Sequence, residues 1–305
     1  MDPEEGPGYG VESTVFHLQP AAAGPYVITI ISDATTNYEL VLLAHNSAFQ
    51  DVSATTTPLR SSIMAGIAQK LRITFDPVSG NRLIFKPDID ISNLTSRTMG
   101  ACLGAVLTGN SEIIGAVTIN GSLVMSGNSK IMGDTTAFPI NQSGNAKIAG
   151  TIVQSSSSLN CFPIDMSFTQ QALEASNDNA AIPAGFLSGG ILGVTGSNTL
   201  SLPEGNYIVD RLEVSGNAKL RASGAVNLFV RKSVSLSGNS ETGTSSAPIN
   251  ILVGSGSDQV LSGKSIRAIF YAPTAKAILS GNTLFSGRLH AGRIEMAGTS
   301  KVEAP

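Results

Sequence analysis

Leu212-Glu213-Val214-Ser215-Gly216-Asn217-Ala218-Lys219-Leu220 alternates apolar and polar side chains on both sides of a Ser-Gly-Asn corner. A period of two marks a strand with one buried face, so the corner joins two strands that keep the same inner side. The corner recurs at Thr108-Gly109-Asn110-Ser111, Ser126-Gly127-Asn128-Ser129, Ser143-Gly144-Asn145-Ala146, Ser237-Gly238-Asn239-Ser240, Ser280-Gly281-Asn282-Thr283 and Ala297-Gly298-Thr299-Ser300. The seven glycines are separated by 18, 17, 72, 22, 43 and 17 residues. Because 72 is four times 18, and 43 divides into 25 and 18 at Ser262-Gly263-Lys264, a rung of 17–18 residues with occasional loops fits the whole series. Such a period predicts a solenoid, here a right-handed parallel β-helix in an all-β chain.

The flanks assign the faces. Two and four residues before each Gly, thirteen of fourteen positions are apolar, from Ala105 and Leu107 to Ile294 and Met296, with Gln142 the exception. Ile113, Ile131, Ile148, Leu220, Phe285 and Val302 stand four after it, whereas Lys130, Lys147, Lys219 and Lys301 stand three after it. In a hairpin closed by Gly-Asn, Val214 would share a face with Lys219 and Leu236 with Glu241, which sets an apolar face against charge. A corner that preserves the alternation avoids this. It predicts Gly109, Gly127, Gly144, Gly216, Gly238, Gly281 and Gly298 as inward structural corners, with Ser and Asn outward and the asparagines stacked into a hydrogen-bonded ladder.

With 42% apolar and 13% charged residues, 32 Gly and no Trp, the 305-residue chain reads as folded and charge-poor. A net charge of −3 offers no footprint for nucleic acid, and no apolar run approaches a membrane span. The opening Met1-Asp2-Pro3-Glu4-Glu5 has neither a basic nor an apolar segment, so it is no signal peptide; the protein is either cytosolic or has lost an export segment. Cys102 and Cys161 suit one disulfide in an oxidising compartment or two buried thiols.

Residues 1–95 lack the corner and read as a small β-rich cap or domain, with strand-like stretches at 26–31, 38–43, 71–75 and 82–86. Residues 96–305 form the β-helix, interrupted at about 161–200 by an excursion. Within it 165–176 reads as a short helix whose inner side carries Met166, Phe168, Ala172 and Leu173.

Chemistry is harder to find. Asp88 and Asp90 share a face if extended, and a solvated strand face explains them better than acid/base work. His17, His45 and His290 are scattered, with no cysteine or carboxylate at ligand spacing, so no metal site is expected. Gly263-Lys264-Ser265 lacks the upstream glycine of a phosphate loop, whose place Asp258 occupies, and reads as a rung corner. The row of Lys130, Lys147, Lys219 and Lys301 could hold an acidic polysaccharide, but outward lysines equally keep a solenoid soluble and its strands from pairing laterally.

Leu202-Pro203-Glu204-Gly205-Asn206-Tyr207-Ile208-Val209 with Leu212 to Leu220, Val226-Asn227-Leu228-Phe229-Val230 with Val234-Ser235-Leu236-Ser237-Gly238-Asn239, and Ile269-Phe270-Tyr271-Ala272-Pro273 with Leu279-Ser280-Gly281-Asn282 share a pattern. Over about residues 160–305 it resembles an uncharacterised β-helical domain found in PilX-like type IV pilus accessory proteins and MSHA-type pilus biogenesis proteins of bacteria. The resemblance implies export to the cell surface and brings neither catalytic residues nor a cofactor. The expected function is a non-catalytic cell-surface structural or adhesion module, extracellular and pilus-associated. Its expected partners are other pilus or surface proteins, or surface polysaccharide, with self-association through the solenoid ends. A carbohydrate-binding or carbohydrate-active β-helix and a bactofilin-like polymer-forming scaffold are the alternatives.

Overall fold

The computed structural model describes residues 26–31, 36–40, 59–63, 69–76, 82–87, 97–155, 159–162 and 164–305. Among the described residues from 99 onward, 21 strands join into one hydrogen-bonded sheet that is parallel except at one short hairpin. It is a β-solenoid, and each rung lies in register on the next. Leu212 stacks on Val234 and Val214 on Leu236 before the corner, and Leu220 stacks on Thr242 after it.

The inward positions hold. Ala105, Leu107, Leu123, Met125, Leu212, Val214, Val234, Leu236, Ala277, Leu279, Ile294 and Met296 are buried, as are Ile113, Ile131, Leu220, Phe285 and Val302. Each buried aliphatic side chain contributes on the order of 1.5–3 kcal/mol, and in-register stacking gathers these side chains into one continuous core cluster. Lys130 and Lys147 are exposed, and Lys219 and Lys301 half-exposed.

Three expectations need correction. The corner glycines do not point inward: Gly109, Gly127, Gly144, Gly216, Gly238, Gly281 and Gly298 are all exposed. They stand in the left-handed region, φ +76° at Gly216, which turns the chain through three outward residues before it re-enters the alternation. Space also matters, because a Cβ on Gly216 would lie 2.8 Å from the Gly196 carbonyl oxygen of the neighbouring rung. Second, Ile140 and Ile148 are half-exposed and Gln142 exposed, since their rung is the last described one and stacks on one side only. Third, the 72-residue interval is not four rungs. It contains the excursion and one further corner, Thr195-Gly196-Ser197-Asn198, so the solenoid resumes at Ile191 rather than at residue 200.

Rungs are not stacked in chain order. Residues 99–153 climb away from strand Met99–Leu107, whose other edge pairs with strand Leu284–Met296, Ile294 opposite Ala105 and Met296 opposite Leu107. Strand Lys301–Glu303 likewise pairs with Glu112–Ile114. The order along the axis is therefore 191–303 first and 99–153 above it. The chain leaves the top rung at Val153 and re-enters the stack at the far end at Ile191.

The excursion carries helix α1, Met166–Ala175, capped at its N-terminus by Asp165, whose carboxylate accepts from the Phe168 N–H at 2.9 Å. Phe168, Ala172 and Leu173 are buried as its pattern predicts, and Met166 is half-buried. In the N-terminal region Tyr26–Ile30, Gln69–Asp76 and Arg82–Pro87 form an antiparallel sheet, and Thr36–Leu40 pairs with Leu59–Ile63, a strand that the sequence reading did not anticipate. The Gln69 amide donates to Asp165.

Candidate functional site

Two places gather side chains that could act. The first is an outward groove of about 500 Å³ lined by Asn110, Asn128, Asn145, Glu112, Lys130 and Lys147. It follows from the repeat, because the residue one after each corner Gly and the residue three after it stack at the rung spacing of about 4.8 Å. Asn145 donates to Asn128 at 3.0 Å and Asn128 to Asn110 at 2.9 Å, which leaves each amide a further N–H for a ligand. Beside them Glu112, Lys130 and Lys147 lie in register. The lysine row divides here: Lys219 pairs with Glu241 at 3.3 Å and Lys301 with Glu303 at 3.0 Å, whereas Lys130 and Lys147 have no ion pair among the described residues. The Glu303 carboxyl is held below its usual range by that lysine and by the Ser286 hydroxyl. Two unpaired ammonium groups flanked by amides make a surface suited to anionic, hydroxyl-bearing ligands.

The second place is where the excursion meets the solenoid. One outward row runs Ile208, Phe229, Leu252, Tyr271, His290, Gly100, Thr118, Thr136 and Val153 through successive rungs. Ile164 and Leu173 of the excursion pack on its first four members. Farther along, Cys161 is joined to Cys102 as a disulfide with Cα atoms 5.7 Å apart. Asn120 grips the same segment, donating to the Leu159 carbonyl at 2.9 Å and the Cys161 sulfur at 3.3 Å while accepting from the Leu159 N–H at 3.0 Å. The Tyr271 hydroxyl donates to the Cys161 carbonyl at 3.1 Å, and its ring lies against His290, centroids 5.2 Å apart. Burial pushes the Tyr271 phenol well above its ordinary value and pulls His290 down to about 4, so the imidazole is neutral at pH 7.

His290 is the residue that sequence reading missed. It lies 188 positions from Cys102, yet its Nε2 is 3.6 Å from that sulfur. Only the docking of strand Leu284–Met296 beside Met99–Leu107 reveals this, and no local motif encodes it. Asp88, Asp90, His17 and His45 lie outside the described residues. Gly263 is at a corner but without positive φ, and the register there runs one residue short, Glu241 opposite Ser265. A third polar cluster is a fastening: Asp210 pairs with Arg231 and with Lys232, and Arg231 reaches Glu174 of α1 at 3.1 Å. The lysine and arginine hold the Asp210 carboxyl below its usual range.

A family profile described as "Domain of unknown function (DUF7305)" matches residues 204–304. No curated protein matches the chain. Among solved structures, an ice-binding protein from an Antarctic biological consortium is 15% identical, with a TM-score of 0.43 over 71% of this chain and 91% of its own. An ice-binding protein from the Antarctic ascomycete Antarctomyces psychrotrophicus is 16% identical, with a TM-score of 0.38 over 70% and 97%. The competence-associated pilin ComZ from Thermus thermophilus is 9% identical, with a TM-score of 0.40 over 88% and 81%. No function is read from likenesses at this level. No helix among the described residues is long and apolar enough to cross a membrane.

Proposed function

We propose that the chain is a non-catalytic structural or adhesion module of the bacterial cell surface, in the manner of PilX-like pilus accessory proteins, which engages an anionic surface polymer along the groove of Asn110, Asn128, Asn145, Lys130 and Lys147. One observation carries the reading: the outward polar groups recur as ladders of like residues at one rung spacing. Catalysis needs unlike groups converging within about 3 Å of a reacting atom, whereas a ladder offers repeated weak contacts to a repeating ligand. A rigid parallel stack holds those contacts in line, so a polymer binds without the protein having to order itself.

Binding of the purified protein to an immobilised acidic polysaccharide, compared with a neutral one, tests this. The Lys130→Gln/Lys147→Gln double variant should lose at least about tenfold in affinity, with the wild-type interaction weakening as salt rises. Equal binding of both polymers, or an unaffected double variant, overturns the groove. Protease applied to intact cells that express the full-length gene product tests the location, since a surface module is cleaved without lysis.

A further inference from the structure

We propose that, once its disulfide is reduced, the protein binds a thiophilic divalent cation such as Zn²⁺ through Cys102, Cys161 and His290, so that the excursion is latched by a covalent bond under oxidising conditions and by a metal ion under reducing ones. The three donor atoms lie within 4.8 Å of one another. A tetrahedral zinc ion at Zn–S ≈ 2.3 Å and Zn–N ≈ 2.0–2.1 Å places sulfur and nitrogen ligands roughly 3.5 Å apart. Cys102 Sγ and His290 Nε2 are already 3.6 Å apart. The two sulfurs need to separate from bonding distance to about 3.8 Å, and the Cys161 sulfur starts within 4.8 Å of a His290 ring nitrogen.

Cys161 does not depend on the disulfide alone for its place. Asn120 holds Leu159 by two hydrogen bonds, and Tyr271 holds the Cys161 carbonyl, so reduction leaves the second sulfur beside the first. The Asn120 amide also points at the Cys161 sulfur, the outer-shell contact that favours a thiolate ligand. His290 is buried, as an imidazole ligand should be. Three protein ligands leave a fourth position for water or a small ligand.

In balanced form, a dithiol reductant supplies two electrons and two protons, the S–S bond breaks to two thiols, and the reductant becomes a disulfide. The cation then displaces one proton from each thiol. The inference stands apart from the proposed surface role, which requires neither cysteine.

The test is a Co²⁺ titration of the full chain, reduced under anaerobic conditions. The expected result is the intense visible absorption of tetrahedral thiolate-bound cobalt, with a sulfur-to-metal band in the near ultraviolet, bleached by Zn²⁺ and lacking in the oxidised protein. His290→Ala should weaken Zn²⁺ by more than tenfold, and Asn120→Ala by about 10- to 100-fold. Because the reduced chain could lose its fold, circular dichroism and thiol alkylation accompany the titration: Zn²⁺ should restore or raise the thermal midpoint and shield both thiols. Failure of Co²⁺ to give a thiolate spectrum in the reduced wild type, an identical spectrum in His290→Ala, or thiols alkylated at the same rate with and without Zn²⁺ overturns the proposal.

Discussion

The outward row from Ile208 to Val153 passes through two regions that share one inner core and differ outside. Under α1 it reads Ile208, Phe229, Leu252 and Tyr271, all buried; past His290 it reads Gly100, Thr118 and Thr136, small or half-buried, and ends at Val153, 47% exposed. Strands change with it, from Ser265–Leu279 with 15 residues to Thr135–Thr136 with two. What faces the interior is written into every rung, whereas what faces outward depends on which piece of chain comes back to cover it. A repeat therefore specifies the core locally and the surface only through tertiary return.

If that comparison is right, equal positions on the row respond unequally. Phe229→Ala should cost about 3–5 kcal/mol in equilibrium denaturation, since it empties the space beneath α1, while Thr118→Ala should stay within about 0.5 kcal/mol. Equal costs would mean that α1 does not seal the lower rungs.

Acid should sharpen the boundary between the regions at His290. Its folded pKa, lowered to about 4 from 6.5, means that between those values the unfolded chain takes up a proton which the folded one refuses. Stability therefore falls as pH drops through this window, by at most about 3 kcal/mol, and is indifferent to this group above pH 6.5. Urea midpoints of the oxidised protein should show the slope, and His290→Gln should flatten it.

Corners test a similar contrast, between a crowded glycine and an uncrowded one within the same stack. Gly216→Ala meets both the left-handed backbone and the Gly196 carbonyl, whereas at Gly281 an added Cβ meets nothing within 4 Å. Thermal denaturation should show a cost of about 2–3 kcal/mol at Gly216 and about 1 kcal/mol at Gly281.

The smallest effect is expected two residues after the corners, where the Ser111, Ser129, Ser240 and Ser300 hydroxyls are buried without a protein partner. Ser129→Ala should leave the chain as stable or up to about 1 kcal/mol more stable, because it removes a polar group that burial penalises. A loss above 1 kcal/mol would show that the hydroxyl is bonded.

These contrasts mark where sequence reading succeeds. Inward residues such as Leu212 and Met296 were legible because alternation and rung period are local properties. The glycines misled because parity around Gly216 is kept by an outward three-residue turn as well as by an inward corner. Stacking order was illegible, since residues 144 and 196 are consecutive corners in the chain yet belong to opposite ends. The groove was half visible: the lysine row could be aligned by counting, but which lysines are paired depends on Glu241 and Glu303 in neighbouring positions. Of the Cys102–Cys161–His290 cluster, the cysteine pair was one of two readings open from the sequence, whereas the approach of His290 was invisible for the same reason as the stacking order.

The seam between Leu284–Met296 and Met99–Leu107 also sets a timetable. Rungs 99–153 leave the ribosome first, but their lower edge stays unpaired until residues 284–303 have been made, so the middle of the stack is the last part to be completed. Contacts spanning nearly 190 residues make this closure slow, and until it occurs the nascent chain exposes a strand edge of the kind that recruits other chains. A stop codon a few rungs early would thus not shorten the rod from one end. It would leave two separate stacks, tethered by the excursion and missing the rung that joins them.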